Sequence, residues 1–123
     1  MSNPLLEGRK GERHLLLGNE AIVRGALEAG VHVVTCYPGT PSSEVPDTFY
    51  KMGGNGKRYY MQYSVNEKVA MEVACGAALG GAMALVTMKH VGLNVAADPL
   101  FTSAYTGLPG GLVVLSADDP GFH

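Results

Sequence analysis

The chain has 123 residues, 46% of them apolar and 16% charged, with a formal net charge of −2. That composition suits one globular domain able to bury roughly two-thirds of the surface its unfolded chain exposes. It excludes an electrostatic hold on nucleic acid or anionic membrane, and two distant cysteines, Cys36 and Cys75, exclude a thiolate cluster for zinc or iron–sulfur within this chain.

The polar start over residues 1–13 reads as a flexible tail, followed by one domain over 14–123. The opening stretch lacks the apolar core of a secretory signal, and no apolar run reaches membrane-spanning length, so a cytoplasmic protein with no membrane partner is expected. From Asn19 to Ala29, Ala21, Ile22, Ala26 and Leu27 recur at helical spacing, and Gly30 sits where a C-terminal cap belongs. "VHVVTCY" (31–37) is a short β-branched run and predicts a buried strand. "PGTPSSE" predicts a turn whose Ser42–Ser43 pair caps a helix running to about Met52. "GGNGK" (53–57) breaks the chain, and "RYYMQYS" predicts a second strand.

A helix headed by Glu67 should run to about Gly81. "MALVTM" (83–88) predicts a third strand, "KHVGLN" a loop, and "VAADPLFTSAYTG" a helix with Pro99 in its first turns. "LVVLSA" (112–117) predicts a fourth strand, which "DDPGFH" leaves. Strands alternating with helices, most of them apolar on both faces, call for an α/β fold, doubly wound, with a mostly parallel sheet and helices on both faces. A chain that stops directly after a strand reads as truncated at its C-terminal end. Ligands of such sheets bind beyond the carboxyl ends of the strands. The candidate segments are therefore "PGTPSS", "SVNE", "KHVGLN" and "DDPG".

Glu67 poses the central question. Ser64-Val65-Asn66-Glu67 matches the S-x-x-E capping box, in which serine and glutamate satisfy each other's backbone N–H groups. That reading needs no function. The alternative is a catalytic carboxylate. Ala70, Ala74, Gly76, Ala77, Ala78, Gly80 and Gly81 let the same helix lie close to a neighbour: its own sheet, another subunit or a bulky cofactor. Lys89 and His90 are equally open to a solvated loop or a catalytic part. "PGTPSS" lacks phosphate-loop spacing, and no G-x-G-x-x-G follows a strand, which disfavours a nucleotide site.

"YPGTPSSE", "SVNEKVAMEVACGAALGGAMALVTMKHVGLNVAADPL" and "GGLVVLSADDPG" together resemble the N-terminal pyrimidine-binding domain of the thiamine-diphosphate-dependent 2-oxoacid:ferredoxin oxidoreductases, in particular the alpha subunit of the indolepyruvate branch. The resemblance runs from about Leu15 to His123. It implies that Glu67 matches the glutamate that hydrogen-bonds N1′ of the cofactor's aminopyrimidine and favours its imino tautomer. It implies that Thr40, with Pro38 and Gly39, lies by the cofactor. It puts Lys89 and His90, in the "MKH" string of that branch, near the substrate or the aminopyrimidine. Where the pyruvate enzymes carry a carboxylate-binding arginine after the fourth strand, this chain has Asp118 and Asp119, which fits the aryl-pyruvate branch.

The family's GDG…N motif, which holds the diphosphate through Mg²⁺, is missing, as are its cysteine clusters for iron–sulfur centres. The resemblance thus implies half of an active site, with no metal ligands of its own, inactive alone. It would be completed by a diphosphate-binding domain or subunit and serve an enzyme that uses a 2-oxo acid, CoA and ferredoxin. A homo-oligomer would suit the small-residue helix. The alternatives are a non-catalytic assembly domain and the pyrimidine domain of a thiamine-diphosphate decarboxylase for another 2-oxo acid.

Overall fold

A computed structural model describes residues 5–53 and 58–121. Most of the expected "GGNGK" break (54–57), together with residues 1–4 and 122–123, lies outside the described residues. The elements run α1 (Gly18–Glu28), β1 (Val33–Cys36), α2 (Glu44–Lys51), β2 (Tyr60–Tyr63), α3 (Glu67–Leu79), β3 (Ala84–Lys89), α4 (His90–Val95), α5 (Ala97–Thr106) and β4 (Leu112–Ala117).

The four strands form one all-parallel sheet in the order β2-β1-β3-β4. Alternation along the strands sorts the core into two clusters. Val34, Cys36, Met61 and Leu85 pack with Val23 of α1 and with Val45 and Phe49 of α2. Ala84, Val86 and Met88 point the other way, against Ala70, Met71, Ala74 and Cys75 of α3. Helices cover both faces, as the apolar strands required. β4 at the sheet edge is less covered, and Val113 is 62% exposed.

The helix ends follow from sequence. After α1, Gly30 takes φ 81°. Its N–H donates to the Leu27 carbonyl (3.1 Å) and that of Val31 to Ala26 (3.0 Å), which satisfies two orphan carbonyls in a Schellman turn. Ala70, Met71, Ala74, Cys75 and Ala78 of α3 are buried. The i, i+1, i+4 spacing makes this the core-facing stripe, so Ala70, Ala74 and Ala78 serve tight packing on the chain's own sheet, while Gly76, Gly80 and Gly81 are exposed. Thr35, fully buried in β1, donates from Oγ1 to the Ala70 carbonyl at 2.7 Å. A hydroxyl in a buried strand is thereby satisfied, and α3 is fixed to β1.

Three local expectations need correction. "KHVGLN" is not a loop: β3 extends through Lys89, and His90–Val95 form α4. The two serines before α2 do not cap it. Ser43 holds the N-cap position without a side-chain cap bond. Instead its Oγ accepts from the Gly39 N–H (3.1 Å), and Ser42 Oγ donates to the Gly39 carbonyl (2.7 Å). The hydroxyls brace the turn after β1. The segment 5–13 contains neither helix nor strand. Leu5 within it is buried, and the Leu5 and Glu7 carbonyls accept from Arg24 (3.2 and 3.0 Å).

The third correction concerns the head of α3. Its N-cap is Asn66, whose Oδ1 accepts from the Val69 N–H at 2.9 Å. Ser64 lies outside the helix, its hydroxyl buried and without a partner among the described residues. The Ser64–Glu67 capping box does not form. Asn66 is a strong N-cap residue and takes the position first. Asn66→Ala is expected to lower stability by about 1 kcal/mol, read as a shift in the urea midpoint with an unchanged slope.

Candidate functional site

In strand order β2-β1-β3-β4 the chain leaves β1 toward β2 and leaves β3 toward β4. The crevice between the ends of β1 and β3 is the topological switch point, where open α/β sheets bind ligands. Four segments converge on this edge: the Pro38–Thr40 turn from β1, Asn66–Glu67 from β2, Lys89–Gly92 from β3 and Asp118–Asp119 from β4.

Gly39 marks how closely the first and third segments approach. A Cβ on Gly39 would stand 2.9 Å from Lys89 Cβ, so the absence of a side chain lets the turn lie directly on the end of β3. Pro38 and Thr40 beside it are exposed. The Thr40–Pro41 peptide is cis. Asn19 secures the turn from α1: its Nδ2 donates to the Pro41 carbonyl (3.2 Å) and to Glu44 Oε2 (2.8 Å).

Glu67 is the first residue of α3 and is half-buried. With Asn66 acting as the cap, its carboxylate is not spent on the capping box. The side chain lies against α4: a Cβ on Gly92 would meet Glu67 Cγ and Oε1 at 2.5 Å and Cδ at 2.8 Å. The second and third segments are thus in direct contact. An acidic group here also faces the positive end of the α3 dipole.

Lys89 and His90 meet a carboxylate that follows β4. Lys89 Nζ is 3.6 Å from Asp119 Oδ2, and His90 Nδ1 is 3.5 Å from Asp119 Oδ1. The Lys89 and Asp119 side chains are only 13% and 12% exposed. A charge so shielded from water needs a partner; Lys89 and Asp119 give each other one, and His90 packs beside the same carboxylate. On the α2 side, Tyr63 at the end of β2 donates its hydroxyl to Asp47 Oδ1. Burial, then that bond and the Asp47 charge, raise the Tyr63 pKa well above the usual phenol value. Burial also pushes the Cys36 thiol up to about 12, with the Asp47 charge adding to it and the Thr87 hydroxyl opposing. Cys36 and Cys75 are both free and buried. A thiol held in its protonated form is a poor nucleophile and ligand, so Cys36 is a packing residue.

The structure therefore brings together Gly39 with Lys89, Lys89 and His90 with Asp119, and Glu67 with Gly92. Sequence reasoning passed over Gly92 and gave Asp119 no partner, because both depend on contacts between segments far apart in the chain. Among the described residues, no group of three His, Cys, Asp or Glu side chains could hold a metal ion, and no helix is long and apolar enough to cross a membrane.

Residues 24–116 match the family described as pyruvate flavodoxin/ferredoxin oxidoreductase, thiamine diphosphate-binding. The chain belongs to this family. Over 126 aligned positions it is 56% identical to the indolepyruvate oxidoreductase subunit IorA of Archaeoglobus fulgidus, with all of this chain and 20% of that subunit covered. Over 116 positions it is 55% identical to the IorA subunit of Pyrococcus abyssi, covering 94% of this chain and 18% of the subunit. The chain thus spans about a fifth of these relatives. In fold it is similar to a 2-oxoglutarate:ferredoxin oxidoreductase from Magnetococcus marinus, with TM-score 0.70, 21% identity, and 88% of this chain and 18% of the other covered. The family membership agrees with the resemblance carried by "YPGTPSSE" and "TMKHVGLNVAADP". The donor set suits this family's cofactor: a half-buried carboxylate at a helix start and, at Gly39 and Gly92, two close approaches that leave no room for a side chain.

Proposed function

We propose that the chain supplies the pyrimidine-binding half of a thiamine-diphosphate site. The enzyme oxidatively decarboxylates aryl pyruvates of the indolepyruvate type to aryl-acetyl-CoA. The 2-oxo acid loses CO₂, its acyl carbon passes to the CoA thiol, and two electrons go to ferredoxin. The observation that carries this reading is Glu67, left clear of capping by Asn66 and held at the switch point against Gly92.

When bound, the cofactor supplies the electron sink that decarboxylation of a 2-oxo acid requires. The chain's own groups bind, orient and hold a proton. Glu67 shares a proton with a ring nitrogen of the aminopyrimidine. Pro38 and Gly39 form the floor of the site, and Thr40 offers a hydroxyl to cofactor and substrate. Lys89 and His90, tied to Asp119, face the 2-oxo acid. The pairing leaves less free positive charge for a second carboxylate, which supports an aryl rather than a dicarboxylic substrate. Mg²⁺ and the diphosphate are held by another domain or subunit. The iron–sulfur clusters belong to the full assembly, a cytoplasmic enzyme, and the isolated chain is inactive.

The test is an assay of the purified assembly with indolepyruvate, pyruvate and 2-oxoglutarate. Indolepyruvate should be turned over fastest, and only with both CoA and ferredoxin present. Carbon dioxide release that needs neither would replace this reading with a simple decarboxylase.

A further inference from the structure

Gly92 is the third residue of α4 and is buried, between exposed Val91 and half-buried Leu93. Glycine is among the poorest helix formers, so a buried helical glycine calls for a packing reason. The reason here is a single neighbour. The three heavy atoms closest to a Cβ at Gly92 all belong to Glu67: Cγ and Oε1 at 2.5 Å, Cδ at 2.8 Å. Real contacts of that length do not occur, so any larger residue must move the Glu67 side chain, α4, or both. Cγ lies near the root of the glutamate, so a displacement there carries the whole carboxylate with it.

We propose that Gly92 is a positioning residue: the bare backbone of α4 forms the wall that sets where the Glu67 carboxylate points. The wall is itself anchored. α4 follows β3 without a break, and its first residue, His90, lies 3.5 Å from Asp119 beyond β4. Asn66 fixes the other side by capping α3. The carboxylate is thus confined between the start of one helix and the side of another. The catalytic consequence rests on the proposed role of Glu67; the positioning itself does not.

The experiment is Gly92→Ala, read in two ways. In the 123-residue chain labelled with ¹³C at glutamate carboxyls, the Glu67 signal should move while those of Glu7, Glu12, Glu20, Glu28, Glu44 and Glu72 stay in place. In the assembled enzyme, kcat should fall about 100-fold, the loss a misplacement of about 1 Å can cause, with KM for the 2-oxo acid little changed. The variant Glu67→Gln/Gly92→Ala should be no slower than Glu67→Gln alone. An unmoved Glu67 signal in a folded Gly92→Ala chain overturns the proposal, as does an additive double variant. A moved signal with full turnover of Glu67→Gln sustains the positioning and removes the catalytic role. Should Gly92→Ala fail to fold, Glu67→Ala/Gly92→Ala must restore the melting temperature; failure to restore it also overturns the proposal.

Discussion

Glu67→Gln is expected to cut turnover of the assembled enzyme by about 10²–10⁴-fold, the usual worth of a positioned acid–base group, with the melting temperature of the chain unchanged. The amide keeps the shape of the carboxylate but cannot exchange a proton with a ring nitrogen. Stability should hold because the α3 cap belongs to Asn66, whose Oδ1 bonds the Val69 N–H. The two measurements separate the readings of this residue. A helix-cap role predicts a loss of about 1 kcal/mol or less and normal turnover. Normal turnover would also support the rival in which the domain only assembles with its partners. A large loss in kcat with no change in stability admits only a residue that acts in the site.

The largest stability effect is expected at Phe49. The ring is fully buried and meets Tyr59 edge to face, centroids 5.0 Å apart with the planes at 79°. Tyr59 in turn donates its hydroxyl to the Phe49 carbonyl at 2.5 Å. This pair fastens α2 to the residue before β2. Phe49→Ala should lower stability by about 3–5 kcal/mol, the range for removing a buried aromatic ring, against a total of about 5–15 kcal/mol for a domain. Urea unfolding followed by circular dichroism measures it. A loss below about 1 kcal/mol would mean that α2 is held by other contacts.

Much of the fold could be read before the structure was known. The strands were legible because "VHVVTCY", "MALVTM" and "LVVLSA" are compact apolar or β-branched runs, each with a glycine just before it. α3 was legible because its buried stripe spans several turns, and α1 because its apolar residues recur at helical spacing, although Val23 is buried there while Ala21 and Ile22 are exposed. α4 was not legible. Six residues are too few to show a period, and Gly92 reads as a breaker unless its contact with Glu67 is known. The capping box misled for a related reason. Ser64 and Asn66 are both good caps, and the choice between them depends on where β2 ends, which packing decides. In the site, the residue types at Glu67, Thr40, Lys89 and His90 pointed to a chemistry only through a long string resemblance. The partners of Glu67, Lys89 and His90, namely Gly92 and Asp119, come from other strands' ends, and no spacing rule reaches across them.

The parallel register has a consequence for insertions and deletions. Val33 pairs with Ala84 and Cys36 with Thr87 across the centre of the sheet. One residue added within β1 would reverse the faces of all that follow it in the strand. Thr35 would lose the Ala70 carbonyl, and Gly39 would no longer lie over Lys89. A single-codon length change in β1 or β3 therefore disables the site even if every residue in it is retained. The opposite ends of the strands, where α1 and α3 return to the sheet, lie away from the site, and Leu79 and Gly80 are exposed there. A fluorophore attached at Leu79 leaves the register of β1 and β3 unchanged.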